Sequence, residues 1–166
     1  MESTETKQQS VFISPDALLA HWQGHRRLTR RMIEAFPDDK LFSYSVGGMR
    51  TFAELAMEMV RMGPPGIRGI VVGKWPTWEE SEKAYATPRT KEELLALWDR
   101  ATEQINSLWP HIAADRFQEV VKMFGQWEGP IYWSILYFID NEIHHRGQGY
   151  VYLRSLGIEP PAFYQR

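Results

Sequence analysis

The sequence predicts an all-α protein, and three observations support that prediction. Apolar residues recur at the three-and-four spacing of a helix near residues 15–36, 51–72, 91–109 and 130–156. Helix-capping residues stand at the start of these segments, and little of the chain alternates between apolar and polar residues as a strand does. Four long helices joined by such connections favour an all-α bundle.

The first helix has a clear beginning and end. Ser14 can cap it, Pro15 suits the first helical position, and Asp16 suits the positive end of the helix dipole. Pro37 closes the helix because its ring and missing N–H oppose continuation.

The second helix begins at a capping box formed by Thr51 and Glu54, in which each side chain satisfies an orphan N–H group. We expect the pair Pro64 and Pro65 to break this helix and leave a short second piece beyond them. Residues 73–89 are expected to form a long connection.

The third and fourth helices are predicted from the same signals. Thr90 and Glu93 match a second capping box at the start of the third helix. Residues 115–128 fit either two short edge strands or a helical turn with a loop, and we favour irregular structure there. The last helix follows Pro130, and Gly157 is its expected C-terminal stop.

Length, composition and charge limit the function. A chain of 166 residues fits one domain, expected over residues 13–166 after a polar, flexible tail over residues 1–12. Nineteen basic against 21 acidic residues, without a basic stripe, argue against nucleic-acid binding. No apolar run is long enough to cross a membrane, so we expect a cytoplasmic protein. The absence of cysteine leaves nitrogen and oxygen groups for any metal site or catalysis.

The densest chemistry lies in the segment DNEIHHRGQ at residues 140–148. Asn141 and His145 are four residues apart, so they share one face of the last helix. These polar residues fit a pocket, but polar residues among aromatic ones on a helix more often serve hydrogen bonds between helices or contact with solvent.

The stretch NEIHHRGQGYVYLRSLGIEPP resembles the closing signature of the DinB/YfiT-like superfamily. Upstream, RTFAELAMEM resembles the second-helix motif of that superfamily. The matching positions of the closing signature are His145-Arg146-Gly147-Gln148, Leu153-Arg154, Gly157 and Pro160-Pro161.

The resemblance implies an antiparallel four-helix bundle, a homodimer, and one divalent metal, with zinc, nickel or manganese as candidates. In the family the metal is held by one histidine of the second helix and two of the last. The corresponding residues of this chain are Glu58, Asn141 and His145, so only His145 keeps the family's residue. A carboxylate can bind such metals, whereas the amide of Asn141 is a poor ligand for zinc or nickel. Glu58 could instead lie on a solvated face, paired with Arg61.

Other polar residues have supporting or incidental roles in this interpretation. His144, Glu142 and Arg146 are expected to support the metal ligands through hydrogen bonds. His21 and His25 form a second pair four residues apart, but no third ligand is near in sequence. We therefore expect them to be a surface pair.

Two functions fit this sequence. The resemblance implies a metal-dependent hydrolase or thiol transferase with a partly degenerate metal site, and it assigns no catalytic residue. The alternative is a non-catalytic bundle that lacks the metal and binds a small apolar ligand or a protein partner. The sequence contains neither a phosphate-binding glycine loop with its lysine nor a G-x-S-x-G nucleophile motif.

Overall fold

The computed structural model describes residues 12–166 and confirms the all-α class. The predicted tail therefore lies almost entirely outside the described residues. The helices are α1 (Pro15–Ala35), α2 (Asp38–Leu41), α3 (Phe52–Val72), α4 (Trp78–Ala84), α5 (Lys91–Leu108) and α6 (Ile131–Ser155). Short 3-10 helices span Trp109–His111 and Ala114–Gln118, and a hairpin consists of β1 (Val120–Met123) and β2 (Trp127–Pro130). The four long helices occupy the predicted segments.

The ends of three long helices are formed by the residues that the sequence predicts. The Ser14 hydroxyl accepts a hydrogen bond from the backbone N–H of Ala17 at 3.1 Å. Both bonds of the capping box between Thr51 and Glu54 are present at the start of α3. Gly157, with a φ of 74°, closes α6 in the left-handed conformation that favours glycine.

The predicted capping box at the start of α5 is only half formed. Thr90 accepts a hydrogen bond from the backbone N–H of Glu93 at 3.2 Å, but the Glu93 carboxylate accepts from the N–H of Arg89. A complete box occurs instead at the start of α4, between Thr77 and Glu80. The connection between α3 and α5 thus contains a helix that the sequence analysis missed.

The predicted break in the second helix is wrong, because α3 continues through Pro64 and Pro65. Both prolines are buried, as are the flanking Gly63 and Gly66. A Cβ atom at Gly66 would lie 2.4 Å from the ring of Phe138, so the glycine permits close approach of α6. We attribute the continuity of α3 to this packing, which offsets a cost of about 3 kcal/mol for a proline inside a helix.

The irregular structure predicted for residues 115–128 is also wrong. The strands β1 and β2 pair antiparallel, from Val120 opposite Pro130 to Met123 opposite Trp127. Between them, Phe124 and Gly125 have φ values of 50° and 69°. Such left-handed residues allow a tight turn whose twist matches that of the paired strands.

The contacts among the long helices determine which neighbouring helix each polar residue of α6 faces. Both α1 and α3 pack against α5 and against α6. Helix α6 therefore has one face towards α1 and another towards α3. Within residues 12–166, no helix combines the length and the apolar character of a membrane span.

Candidate functional site

Helices α3 and α6 bring together the three residues that the sequence analysis proposed as metal ligands. The Glu58 Oε1 atom lies 2.8 Å from His145 Nε2 and 3.0 Å from Asn141 Nδ2. The Asn141 Nδ2 atom is also 3.2 Å from His145 Nε2. A carboxylate, an imidazole and a side-chain amide therefore meet at one point between the two helices.

The ring of His145 is held from both sides. Its Nδ1 atom lies 2.7 Å from the Oε1 atom of Gln148, one turn further along α6. Its Nε2 atom faces the Glu58 carboxylate, so an oxygen acceptor stands at each ring nitrogen. Burial alone would lower the pKa of His145, but the hydrogen bonds to Glu58 and Gln148 outweigh burial and raise it. This environment favours the imidazolium form.

The Glu58 carboxylate is correspondingly held in its ionised form. The hydrogen bond from His145 is the main cause that lowers the pKa of Glu58 to about 2, and the contacts with Asn141 and Arg50 add to the effect. The guanidinium of Arg50 lies 2.5 Å from Glu58 Oε2, the oxygen that does not face His145. Each carboxylate oxygen thus has a cationic neighbour.

Glu58 does not form the solvated ion pair with Arg61 that the sequence also allowed. The Arg61 side chain donates instead to the backbone carbonyl of Tyr85, at the end of α4. Only 18% of the Glu58 side chain is exposed to solvent. The carboxylate belongs to the cluster between α3 and α6.

The Glu58–His145 pair should make protein stability depend on pH in a defined window. Glu58 stabilises the fold above its ordinary pKa of 4.5, and this contribution is lost as the pH falls towards 2. The raised pKa of His145 stabilises the fold below the ordinary value of 6.5, and this contribution is lost as the pH rises above it. We therefore expect the difference in unfolding free energy between the native protein and Glu58→Gln to be largest from pH 4.5 to 6.5. Urea unfolding across the pH range measures this difference, and a constant difference would contradict the ion pair.

Two contributors to this cluster were missed at the sequence level. Arg50 directly precedes the cap of α3, and its carbonyl accepts a hydrogen bond from the Tyr152 hydroxyl at 2.8 Å. The Nε2 atom of Gln148 donates to the sulfur of Met49 at 3.3 Å, while its carbonyl oxygen faces His145. Gln148 belongs to the motif that carried the family resemblance, so the sequence did contain a signal for its role. Arg50 is the first residue of the stretch RTFAELAMEM, but neither the capping box nor the ligand position in that stretch pointed to it.

Glu142 does not contact the cluster as the sequence analysis expected. Its side chain faces α1, where it accepts hydrogen bonds from Trp22 at 3.3 Å and Thr29 at 2.7 Å. The guanidinium of Arg26 lies 3.6 Å from the same carboxylate, and both side chains are almost fully buried. Glu142 therefore contributes to the packing of α6 against α1 and does not support the proposed metal ligands.

Arg146 also faces α1 rather than the predicted ligands. It donates to Thr29 Oγ1 at 3.1 Å, and its Nη2 atom lies 2.9 Å from His25 Nδ1. His25 is only 2% exposed, so the prediction of a surface pair with His21 is wrong for this member of the pair. The reason is that His25 fills the contact between α1 and α6.

The third residue expected to support the ligands, His144, is exposed. Its ring lies edge-on to that of His145, with 5.1 Å between the ring centroids. His144 therefore borders the cluster from the solvent side.

The metal-binding capacity of the cluster is limited by its donor set. Within residues 12–166, no group of three or more histidine, cysteine, aspartate or glutamate side chains is arranged to hold a metal ion. The cluster offers one carboxylate and one imidazole, and its third member is a neutral amide. Amide oxygen is a weak donor for borderline metals such as zinc and nickel.

The sequence matches the DinB family over residues 3–166, nearly its whole length. The chain belongs to the DinB family. This confirms the resemblance inferred from the closing signature of the sequence. No curated protein matches the sequence.

Solved structures support the same fold for this DinB-family chain. A DinB-like protein from Bacillus cereus ATCC 10987 is 18% identical, with a TM-score of 0.74 over 93% of this chain and 100% of that one. A DinB-like protein from Bacillus subtilis is 19% identical, with a TM-score of 0.70 over 90% and 98% of the two chains. A point mutant of the mycothiol-dependent maleylpyruvate isomerase is 13% identical, with a TM-score of 0.63 over 82% of this chain and 61% of that chain. At these identities the comparisons establish the fold alone.

Proposed function

We propose that this protein is a DinB-like enzyme whose active centre is the cluster of Glu58, Asn141 and His145. We further propose that the cluster binds a divalent metal weakly and that the reaction is a hydrolysis or a thiol transfer. The observation that supports this proposal best is the convergence of the Glu58 Oε1 and His145 Nε2 atoms, 2.8 Å apart, between two buried helix faces. The isomerase among the similar structures acts with a thiol, mycothiol, which is compatible with the transferase alternative.

The orientation of His145 fits the role of a metal ligand. A histidine that binds a metal usually donates its second ring N–H to a carbonyl or carboxylate oxygen, which fixes the ring. The Gln148 Oε1 atom occupies this position, 2.7 Å from Nδ1, and leaves Nε2 directed at Glu58. Asn141 presents Nδ2 to the cluster, and its Oδ1 atom could serve as a ligand if the amide were turned. The donors present therefore fit a weakly held metal.

In the proposed reaction, the protein side chains bind and orient the substrate. A divalent metal held by Glu58 and His145 would supply Lewis-acid chemistry for water, a thiol or a substrate carbonyl. Arg50 lies beside Glu58 and is half exposed, so its guanidinium can bind an anionic group of the substrate. Gln148 holds the imidazole of His145 in place through the contact with its Nδ1 atom.

Zinc titration of the native protein, purified without a metal-affinity tag, tests the metal proposal. We expect measurable but weak binding, which His145→Ala abolishes because it removes the only imidazole of the cluster. The matched control is His144→Ala, which removes the adjacent exposed imidazole and should leave zinc affinity nearly unchanged. Zinc is a suitable probe because a given site binds it more tightly than manganese. Equal affinities for all three proteins would contradict the proposal.

One observation favours the second candidate, a bundle that binds a ligand without a metal. The Glu58 carboxylate already has His145 on one oxygen and Arg50 on the other, so its charge is balanced without a cation. In that case the native protein would bind no zinc, and the cluster would act as a polar anchor for a small molecule or a protein partner.

Two expectations about architecture accompany the functional proposal. The packing of α1 and α3 against α5 and α6 supports an antiparallel four-helix bundle, the arrangement that the resemblance implies. The homodimer remains a prediction. Exposed aromatic side chains on α6, Trp133 at 52% and Tyr137 at 53%, are suited to such an interface.

A further inference from the structure

A cleft rich in arginine lies between α1 and the C-terminal segment. Its volume is about 360 Å³, within the range of small-molecule sites. A Cβ atom at Gly24 would lie 3.1 Å from Arg166 Cβ, so the absence of a side chain there lets the C-terminal segment lie close to α1. The lining residues are Arg27, Arg30, Arg31, Gln165 and Arg166.

Three of the four arginines in this cleft form no ion pair within the described residues. Arg30 forms ion pairs with Asp99 and Glu34. Within the described part of the chain, Arg27, Arg31 and Arg166 form no ion pair. The guanidinium groups of Arg27 and Arg31 are thus available to a ligand from α1, and that of Arg166, which also contacts His25, lines the cleft from the C-terminal segment.

The protein interior behind the cleft adds further positive charge. Arg26 and Arg146 are both buried, and their one shared carboxylate is Glu142, at 3.6 Å and 4.0 Å respectively. Buried charges normally have balancing partners, because an unpaired charge in the interior is expensive. Glu142 can balance only one of these two guanidinium charges, and Asp99, which also acts on Arg26, is already the ion-pair partner of Arg30.

His25 connects this interior charge to the cleft. Its Nδ1 atom lies 2.9 Å from Arg146 and its Nε2 atom lies 3.2 Å from Arg166. Burial, followed by the charges of Arg146 and Arg166, lowers the pKa of His25 to about 3, so the imidazole is neutral at physiological pH. Guanidinium groups can only donate and a neutral imidazole accepts at one nitrogen, so His25 accepts from Arg146 or from Arg166 but not from both; its Nε2 atom also lies 3.3 Å from His21 Nε2.

We propose that the cleft lined by Arg27, Arg31 and Arg166 binds the phosphate group of a small molecule. Guanidinium groups match the oxygens of a phosphate with paired N–H donors, which a single ammonium group cannot do. A dianion in the cleft would also balance the excess charge of the buried arginines behind it. The proposal is independent of the Glu58–His145 cluster, which lies on the face of α6 towards α3.

Calorimetric titration of the full-length protein at low ionic strength tests this proposal. The probes are inorganic phosphate and glycerol 3-phosphate, which separate recognition of the free ion from recognition of a phosphate ester. We expect Arg27→Gln and Arg31→Gln each to weaken binding about tenfold, because each removes charge-assisted hydrogen bonds. Both residues lie at the surface of α1, and thermal unfolding will verify that the variants remain folded.

The matched control is Arg68→Gln, which removes an exposed arginine from α3. The proposal is supported if either probe binds, if Arg27→Gln and Arg31→Gln weaken that binding, and if Arg68→Gln leaves it unchanged. Tighter binding of glycerol 3-phosphate would favour an organic phosphate as the ligand, and tighter binding of inorganic phosphate would favour the free ion. The proposal is overturned if neither probe binds at millimolar concentration, or if Arg68→Gln weakens binding as much as the cleft variants.

Discussion

Replacement of Glu142 by glutamine should lower the free energy of unfolding by about 3–5 kcal/mol. The Glu142 carboxylate is almost fully buried and is the shared ion-pair partner of Arg26 and Arg146. Glutamine keeps the size of the side chain but removes the charge, so both guanidinium groups would remain buried without a counter-charge.

The same substitution also weakens the acceptor of two hydrogen bonds. Trp22 and Thr29 donate to different oxygens of the Glu142 carboxylate, and an amide has only one acceptor oxygen. Either the indole N–H or the threonine hydroxyl would therefore face an NH₂ group. With the amide oxygen on Trp22, the Thr29 hydroxyl can still donate to the His25 carbonyl, 3.1 Å away, so the lost charge is the main cause of the destabilisation.

Urea unfolding of the native and variant proteins measures this effect, and a thermal scan should show a fall in Tm of about 6–20 °C. The matched control is Glu103→Gln, an exposed position on α5 where we expect a change within about 0.5 kcal/mol. If both variants were equally stable, Glu142 would not hold α1 and α6 together.

The sequence predicts the long helices well because the signals for their ends are local. At Thr51, for example, the side chain and the glutamate three residues later form the cap by themselves, without help from the rest of the fold. The continuity of α3 through Pro64 and Pro65 could not be predicted in this way. It depends on burial against other helices, and residue propensities contain no information on such contacts.

Part of the candidate site was also predictable from local spacing. Asn141 and His145 share a helix face by spacing alone, and the family resemblance related them to Glu58 on another helix. The directions of Glu142 and Arg146 were misjudged because helix spacing does not tell which neighbouring helix a face meets. Both lie towards α1, where they form contacts with Thr29 that no local pattern indicates.

The conversion Asn141→His should raise zinc affinity by on the order of 100-fold. The Asn141 amide lies 3.0 Å from Glu58 Oε1 and 3.2 Å from His145 Nε2, so a side chain at this position reaches both other members of the cluster. An imidazole is a far better zinc ligand than an amide, and the variant would have two histidines and one carboxylate. This is the ligand set of several catalytic zinc centres.

Calorimetry on three proteins tests this prediction: the native chain, Asn141→His, and the double variant Asn141→His with His145→Ala. The single variant should bind zinc most tightly, and the double variant should lose the gain because it again has only one imidazole. Zinc binding should also raise the Tm of the single variant in proportion to its occupancy, since the metal binds the folded state. Equal zinc affinity in all three proteins would mean that Glu58, residue 141 and His145 do not act together on a metal, and the metal-free binding role would then be favoured.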